Sequence, residues 1–164
     1  MNWIGHKDFL IKIDVFVDFI IKYNSLNKNK IYCNLLIQKK FEGLINLPKE
    51  FQIYYGSLND KKVIKKSIKN VKNVFHLASK IYDTSATSIY ETNYTSSKVF
   101  CETLIKNKIK KIIFMSTDSV LGYEKNNISF NDDKNYKPFG IYGKSKKKFE
   151  DYLILKGKEK KIIY

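Results

Sequence analysis

From about residue 30 the chain alternates between short apolar runs and longer stretches whose apolar residues recur three and four positions apart. "KIYCNLLI" (30–37) is a short β-rich run and predicts a strand. "FQIYY" (51–55) predicts a second strand, closed by Gly56. Asn59 and Asp60 precede "KKVIKKSIKNV", in which Val63, Ile64, Ile68 and Val71 share one helical face. "NVFHLA" (73–78) predicts a third strand, and a helical pattern follows from about Ile89 to Asn107, with Val99, Phe100, Leu104 and Ile105 apolar. "KKIIFMS" (110–116) predicts the next strand. A polar loop then runs to Pro138, a helix from about Tyr142 to Leu155, and "KKIIY" begins a last strand.

Strands alternating with helices at these lengths predict an α/β fold, a parallel sheet covered on both faces. Such sheets take ligands at the carboxyl ends of their strands. No repeat or linker interrupts the pattern, so 164 residues predict a single domain. The amino end is less regular, since "IKIDVFVDF" (11–19) alternates like a strand with no turn to close it.

Composition narrows the function classes. Apolar residues make up 43% and aromatics 15%, which fits a globular chain. A net charge of +15 would suit a polyanionic partner. The lysines, however, are scattered, and arginine, which forks onto guanine edges and phosphates, is absent. The charge therefore reads as a solvated surface, with no nucleic-acid or membrane partner expected. Cys33 and Cys101 form neither a disulfide framework nor a metal spacing, and His6 and His76 stand far apart, so no metal site is expected. The apolar stretch from Phe9 to Ile21 is broken by Lys12, Asp14 and Asp18, which argues against a membrane span or a signal peptide. A cytoplasmic location is the expectation.

Three segments fall at or beyond strand carboxyl ends. In "HLAS" (76–79), small Ala78 and Ser79 would let a flat ligand approach the backbone. "MSTDSVLG" (115–122) is a run of hydroxyls leaving a strand. In "YGKSK" (142–146), Tyr142 and Lys146 stand at i and i+4 and share a helical face. That spacing alone means little. With 12 tyrosines and 31 basic residues, chance gives about two Tyr-x-x-x-Lys pairs. The chain has three: Tyr94/Lys98, Tyr142/Lys146 and Tyr152/Lys156.

Order supplies what spacing lacks. Gly56 with Asp60, "HLA", Asn93, "ST" with a glycine five residues on, and Tyr142/Lys146 after a proline follow one another, with 25 residues from Thr117 to Tyr142. From about residue 52 onward the chain resembles the NAD-dependent epimerase/dehydratase family, the extended short-chain dehydrogenases. The resemblance implies a single Rossmann-like, doubly wound parallel domain over 1–164, divergent over 1–51 and family-like over 52–164. It implies a catalytic Thr117, Tyr142 and Lys146, in which Tyr142 takes the proton of a substrate hydroxyl as hydride leaves the same carbon. A free phenol titrates near 10, and the Lys146 charge would favour the phenolate. Ala78, Ser79, Asn93, Tyr142 and Lys146 would line an NAD or NADP cofactor. The implied substrate is a small molecule of the nucleotide-sugar kind, and the implied assembly a homodimer. Asp118 completes the "STD" of dehydratases, but Ser119 stands where they carry a glutamate. Epimerase or reductase chemistry is therefore the better expectation.

The chain also departs from the family. Aligning Phe16 with the aromatic of the family's Gly-x-x-Gly-x-x-Gly turn puts Lys12, Val15 and Asp18 in the three glycine places. Those glycines let pyrophosphate approach a helix N-terminus. Ser57 replaces the acidic residue that reaches the adenine, and the sequence ends at Tyr164, where family members continue into a segment that closes over the substrate. The expected fold is accordingly an incomplete Rossmann-like sheet lacking that segment. Two functions remain open: an NAD(P)-dependent epimerase/dehydratase-type oxidoreductase or isomerase using Thr117, Tyr142 and Lys146, or a truncated non-catalytic remnant that at most serves as an interaction module.

Overall fold

The computed structural model describes residues 16–38, 47–122 and 137–160. The chain divides into two compact units, Met1–Lys72 with Val99–Ile109, and Asn73–Lys98 with Lys110–Tyr164.

In the first unit, helix α1 covers residues 16–26. Val17 and Ile20 are buried three apart, whereas Asp18 and Phe19 face solvent. Helical spacing therefore overrides the strand-like alternation in the second half of "IKIDVFVDF"; residues 11–15 lie outside the described residues. Strands β1 (Cys33–Ile37) and β2 (Phe51–Tyr55) pair in parallel, Cys33 opposite Phe51 and Ile37 opposite Tyr55. Helix α2 (Lys61–Ser67) starts at Asp60, whose carboxylate accepts from the N–H groups of Lys62 and Val63 at 3.0 and 3.1 Å. That satisfies two of the donors a helix start leaves open. Ile64 and Ile68 are buried one turn apart, and the lysines between them are exposed. The Asn34 amide donates to the Ser67 carbonyl at 2.6 Å and ties the end of α2 to β1.

In the second unit, β3 (Asn73–His76) and β4 (Lys111–Phe114) pair in parallel, Asn73 opposite Lys111 and His76 opposite Phe114. The ladder continues through Met115 N–H to the His76 carbonyl at 3.2 Å. Helix α3 (Ala86–Tyr90) begins at Ser85, whose hydroxyl accepts from Ser88 N–H. It runs through a π-helical turn, Glu91–Ser96, into α4 (Ser97–Lys106), whose residues from Val99 onward belong to the first unit. This covers the single helix expected over 89–107. Helix α5 (Gly140–Lys160) runs five residues past the expected end at Leu155. Of the expected last strand, begun by "KKIIY" (160–164), Lys160 ends α5 and 161–164 lie outside the described residues.

The core of this unit is aromatic. Phe149 of α5 is fully buried and meets the Phe114 ring edge-on at 4.8 Å and the His76 ring at 5.5 Å. A 3₁₀ turn, Asp118–Val120, abuts the first turn of α5. Ser119 O accepts from Phe139 N–H at 2.9 Å, and a Cβ placed on Gly143 would sit 2.4 Å from the same oxygen. Glycine at 143 is what lets the start of α5 lie this close to the segment leaving β4. Parallel strand pairs alternating with helices make this a Rossmann-like α/β fold.

Candidate functional site

Every residue expected at the site lies in the second unit, beyond the carboxyl ends of β3 and β4, on the first two turns of α5 and, for Asn93, in the π-helical turn. Lys146 is only 2% exposed. Its Nζ donates to the Met115 carbonyl at 2.5 Å and lies 4.1 Å from the centre of the Phe114 ring. The buried aliphatic stem packs in the core while the ammonium is held by a carbonyl dipole and a π face. Tyr142, one turn earlier and half-buried, places its hydroxyl 3.4 Å from Ser79 Oγ at the end of β3.

Asn93 is 1% exposed. Its Oδ1 accepts from Lys80 N–H at 2.7 Å, and its Nδ2 donates to the Lys80 carbonyl at 2.9 Å and to Ser145 Oγ at 3.2 Å. Ser145 Oγ in turn donates to the Tyr142 carbonyl at 2.8 Å. The amide thus spends both its protons on the protein, and clamps the strand-end loop to α5. Ala78 is half-buried in that loop.

Thr117 caps the 3₁₀ turn. Its hydroxyl accepts from Ser119 N–H at 3.3 Å and lies 3.0 Å from Asp118 Oδ1, to which it donates. The tie between this turn and α5 brings the Thr117 segment alongside the first turn of α5, but the threonine hydroxyl is engaged locally. The other two Tyr-x-x-x-Lys pairs lie elsewhere. Tyr94 stacks against Lys148, and Tyr152 is flanked by Lys98 and Lys156.

Three polar features had no motif to announce them. His76 is buried, with Nε2 2.9 Å from Ser97 Oγ, which itself donates to the Thr92 carbonyl at 3.1 Å. Burial, with the Lys146 charge adding to it, pushes His76 down to about 3. Lys80 Nζ donates to Asp83 at 2.8 Å and to Ser88 Oγ at 2.7 Å. Bonds from Lys80, Ser85 N–H and Ser88 hold the Asp83 carboxyl well below the usual carboxylate range. Ser116 Oγ is buried with no hydrogen-bond partner among the described residues. Only the serine's place in "MST" could have signalled it. Among the described residues no cluster of three metal-ligating side chains occurs, and no helix is long and apolar enough to cross a membrane.

Fold and site placement together define a Rossmann-like α/β protein with its polar groups gathered at strand carboxyl ends. The model of the NAD dependent epimerase/dehydratase family matches residues 24–163, and the chain belongs to that family. The match carries the similarity back from about residue 52, where the motifs begin, to α1. Among solved structures, the UDP-glucuronic acid 4-epimerase of Bacillus cereus in complex with NAD superposes with a TM-score of 0.72 at 18% identity, over 88% of this chain and 50% of its own. The dTDP-glucose 4,6-dehydratase of Streptomyces venezuelae, with NAD bound, gives 0.80 at 14%, over 91% and 49%. The UDP-glucose 4-epimerase of Thermotoga maritima, with UDP-glucose, gives 0.70 at 24%, over 88% and 48%. At these identities the likeness is one of fold, and the chain spans about half the length of these structures. No curated protein matches the chain.

The nicotinamide end of the family's cofactor can be tested against the residues here. Lys146 and Tyr142 stand on one face of α5, and an orphaned buried hydroxyl, Ser116 Oγ, adjoins the carbonyl that receives Lys146. A polar ligand at this point would satisfy a group that has no partner among the described residues. These residues fit. At the phosphate end, Asp18 is exposed on α1, while Lys12 and Val15 lie outside the described residues.

Proposed function

We propose that the chain carries the proton- and hydride-handling site of an NAD(P)-dependent epimerase/dehydratase-type oxidoreductase or isomerase acting on a nucleotide sugar. The observation that carries this reading is the placement of Lys146 and Tyr142. The ammonium is anchored at the end of β4, and the phenol one turn away faces the end of β3. When bound, the dinucleotide supplies the hydride acceptor. Tyr142 accepts the substrate hydroxyl proton, Lys146 favours the phenolate and holds the ribose, and Thr117 turns its hydroxyl to the reacting oxygen. Ala78 and Ser79 supply a small-residue wall, and Asn93 keeps that wall at a fixed distance from α5. Ser119 beside Asp118 favours epimerase or reductase chemistry over dehydration. A homodimer and a cytoplasmic location complete the proposal.

The test is calorimetric titration of the purified chain with NAD⁺ and NADH, followed by turnover of UDP-sugars. Micromolar binding is the expected result, and Tyr142→Phe should then lower turnover at least a hundredfold with little change in cofactor affinity. Absence of binding at millimolar cofactor would overturn the reading. It would favour the second one, a non-catalytic interaction module, which rests on the exposed Asp18 at a position the family keeps as glycine.

A further inference from the structure

We infer that Ser79 is a positioning residue for the Tyr142 phenol, a hydroxyl that supports the phenolate from the β3 side. The inference rests on the proposed role of Tyr142 as proton acceptor. Ser79 Oγ is the donor in its 3.4 Å contact with Tyr142 Oη. Hydrogen bonds at catalytic groups are often long before ligand arrives and tighten in the complex.

The contact is built rather than incidental. Ser79 immediately precedes Lys80, whose N–H and carbonyl are both gripped by Asn93 at 2.7 and 2.9 Å. The same Asn93 reaches Ser145 at 3.2 Å, and Ser145 reaches the Tyr142 carbonyl at 2.8 Å. The path from Tyr142 backbone through Ser145, Asn93 and the Lys80 peptide returns to Tyr142 at its hydroxyl. This closed circuit fixes Ser79 relative to both ends of one side chain. Meanwhile the Thr117 hydroxyl is donated to Asp118. Ser79 is therefore the hydroxyl observed on the phenol in this structure.

The chemistry balances without any covalent change at Ser79. In the oxidative direction the substrate O–H bond breaks and its proton passes to Tyr142 oxygen. The C–H bond of the same carbon would break with its electron pair kept by hydrogen, and a bound dinucleotide would supply the acceptor for that hydride as the carbinol becomes a carbonyl. Ser79 keeps its proton throughout and donates a hydrogen bond to whichever form Tyr142 takes. A donor favours the charged acceptor, so the phenolate is the form that gains.

The experiment needs no cofactor, so it stands apart from the titration above. The ligand-free chain is prepared with tyrosine labelled at ring Cζ, and the Tyr142 resonance is assigned by its loss in Tyr142→Phe. At whatever pH the native Tyr142 resonance shows half ionisation, Ser79→Ala should lower the phenolate-to-phenol ratio about fivefold, the worth of one hydrogen bond. Ser79→Thr should restore it. An unchanged ratio in Ser79→Ala, with or without a lower melting temperature, overturns the inference. So does a fall that Ser79→Thr fails to restore, because packing rather than the hydroxyl would then be responsible.

Discussion

Two asparagines do the same local job in the two units, and only one does anything more. Asn24 of α1 receives Ile31 N–H at 2.8 Å and donates to the Ile31 carbonyl at 2.9 Å. Asn93 of the π-helical turn does the same to Lys80, and spends its second amide proton on Ser145 of α5. The first clamp closes a connection between a helix and the strand after it. The second joins a strand-end loop to the helix that carries Tyr142 and Lys146. Around it the second unit buries His76, Ser97, Ser145 and Lys146. Buried polar groups are costly unless they are satisfied, so a concentration of them wants a reason. Here the reason is position, because each bond fixes a group at the carboxyl end of β3 or β4.

The sharpest test of this comparison removes both clamps in turn. Asn93→Ala leaves the Lys80 N–H and carbonyl and the Ser145 hydroxyl short of a partner, and each buried group left unmade costs about 1–3 kcal/mol. A loss of about 4 kcal/mol in urea unfolding is expected. Asn24→Ala, which frees one peptide near the surface, should cost about half as much. Equal losses would mean that the bond to Ser145 adds nothing, and that the two asparagines are equivalent turn-formers.

A smaller effect separates the units by pH. His76 is held neutral by burial and by the nearby Lys146 charge, its value pushed down to about 3. In the unfolded chain a histidine titrates near 6.5, so below that pH the unfolded state binds the extra proton and the fold loses stability. This contribution is fully present above about 6.5 and declines steadily until the folded group itself protonates near 3. By pH 5 about 2 kcal/mol of it has been lost. His76→Gln should flatten the dependence between pH 7 and 5, a range above most carboxylates. If its unfolding curves keep the native pH slope there, His76 is not the group responsible.

Much of the fold could be read from the chain because its strands are short apolar runs bounded by Gly56, by Asp60 and by polar loops. β2 falls at 51–55 as the pattern predicts, and α2 follows Asp60 within the expected helical segment. Helix α1 was obscured because Phe16, Val17, Phe19 and Ile20 fit either period over so short a span, and burial of Val17 and Ile20 decides it. At the site, the positions of Tyr142 and Lys146 were visible from motif order. What they touch was not. The Lys146 bond to a carbonyl, the Asn93 grip on a peptide and the Ser79 contact use backbone atoms and common hydroxyls, which leave no spacing signature. Nor could spacing reveal that Thr117 caps its own turn, since one hydroxyl serves a cap and a substrate equally well on paper.

The smallest expected effect has the opposite sign. Ser116 Oγ is the exception in a unit whose polar groups are otherwise so fully engaged, buried yet without a partner among the described residues. Ser116 stands two residues beyond the end of β4, next to the carbonyl that receives Lys146. An unmade hydroxyl bond there is a standing cost, and Ser116→Ala should raise stability by about 1 kcal/mol in the ligand-free chain. A ligand group that pairs with the hydroxyl would reverse the preference, so the alanine variant should bind NADH more weakly even as it unfolds at higher urea. If Ser116→Ala instead lowers the urea midpoint, the hydroxyl already has its partner, and the second unit is closed around itself rather than left open at one atom for a ligand.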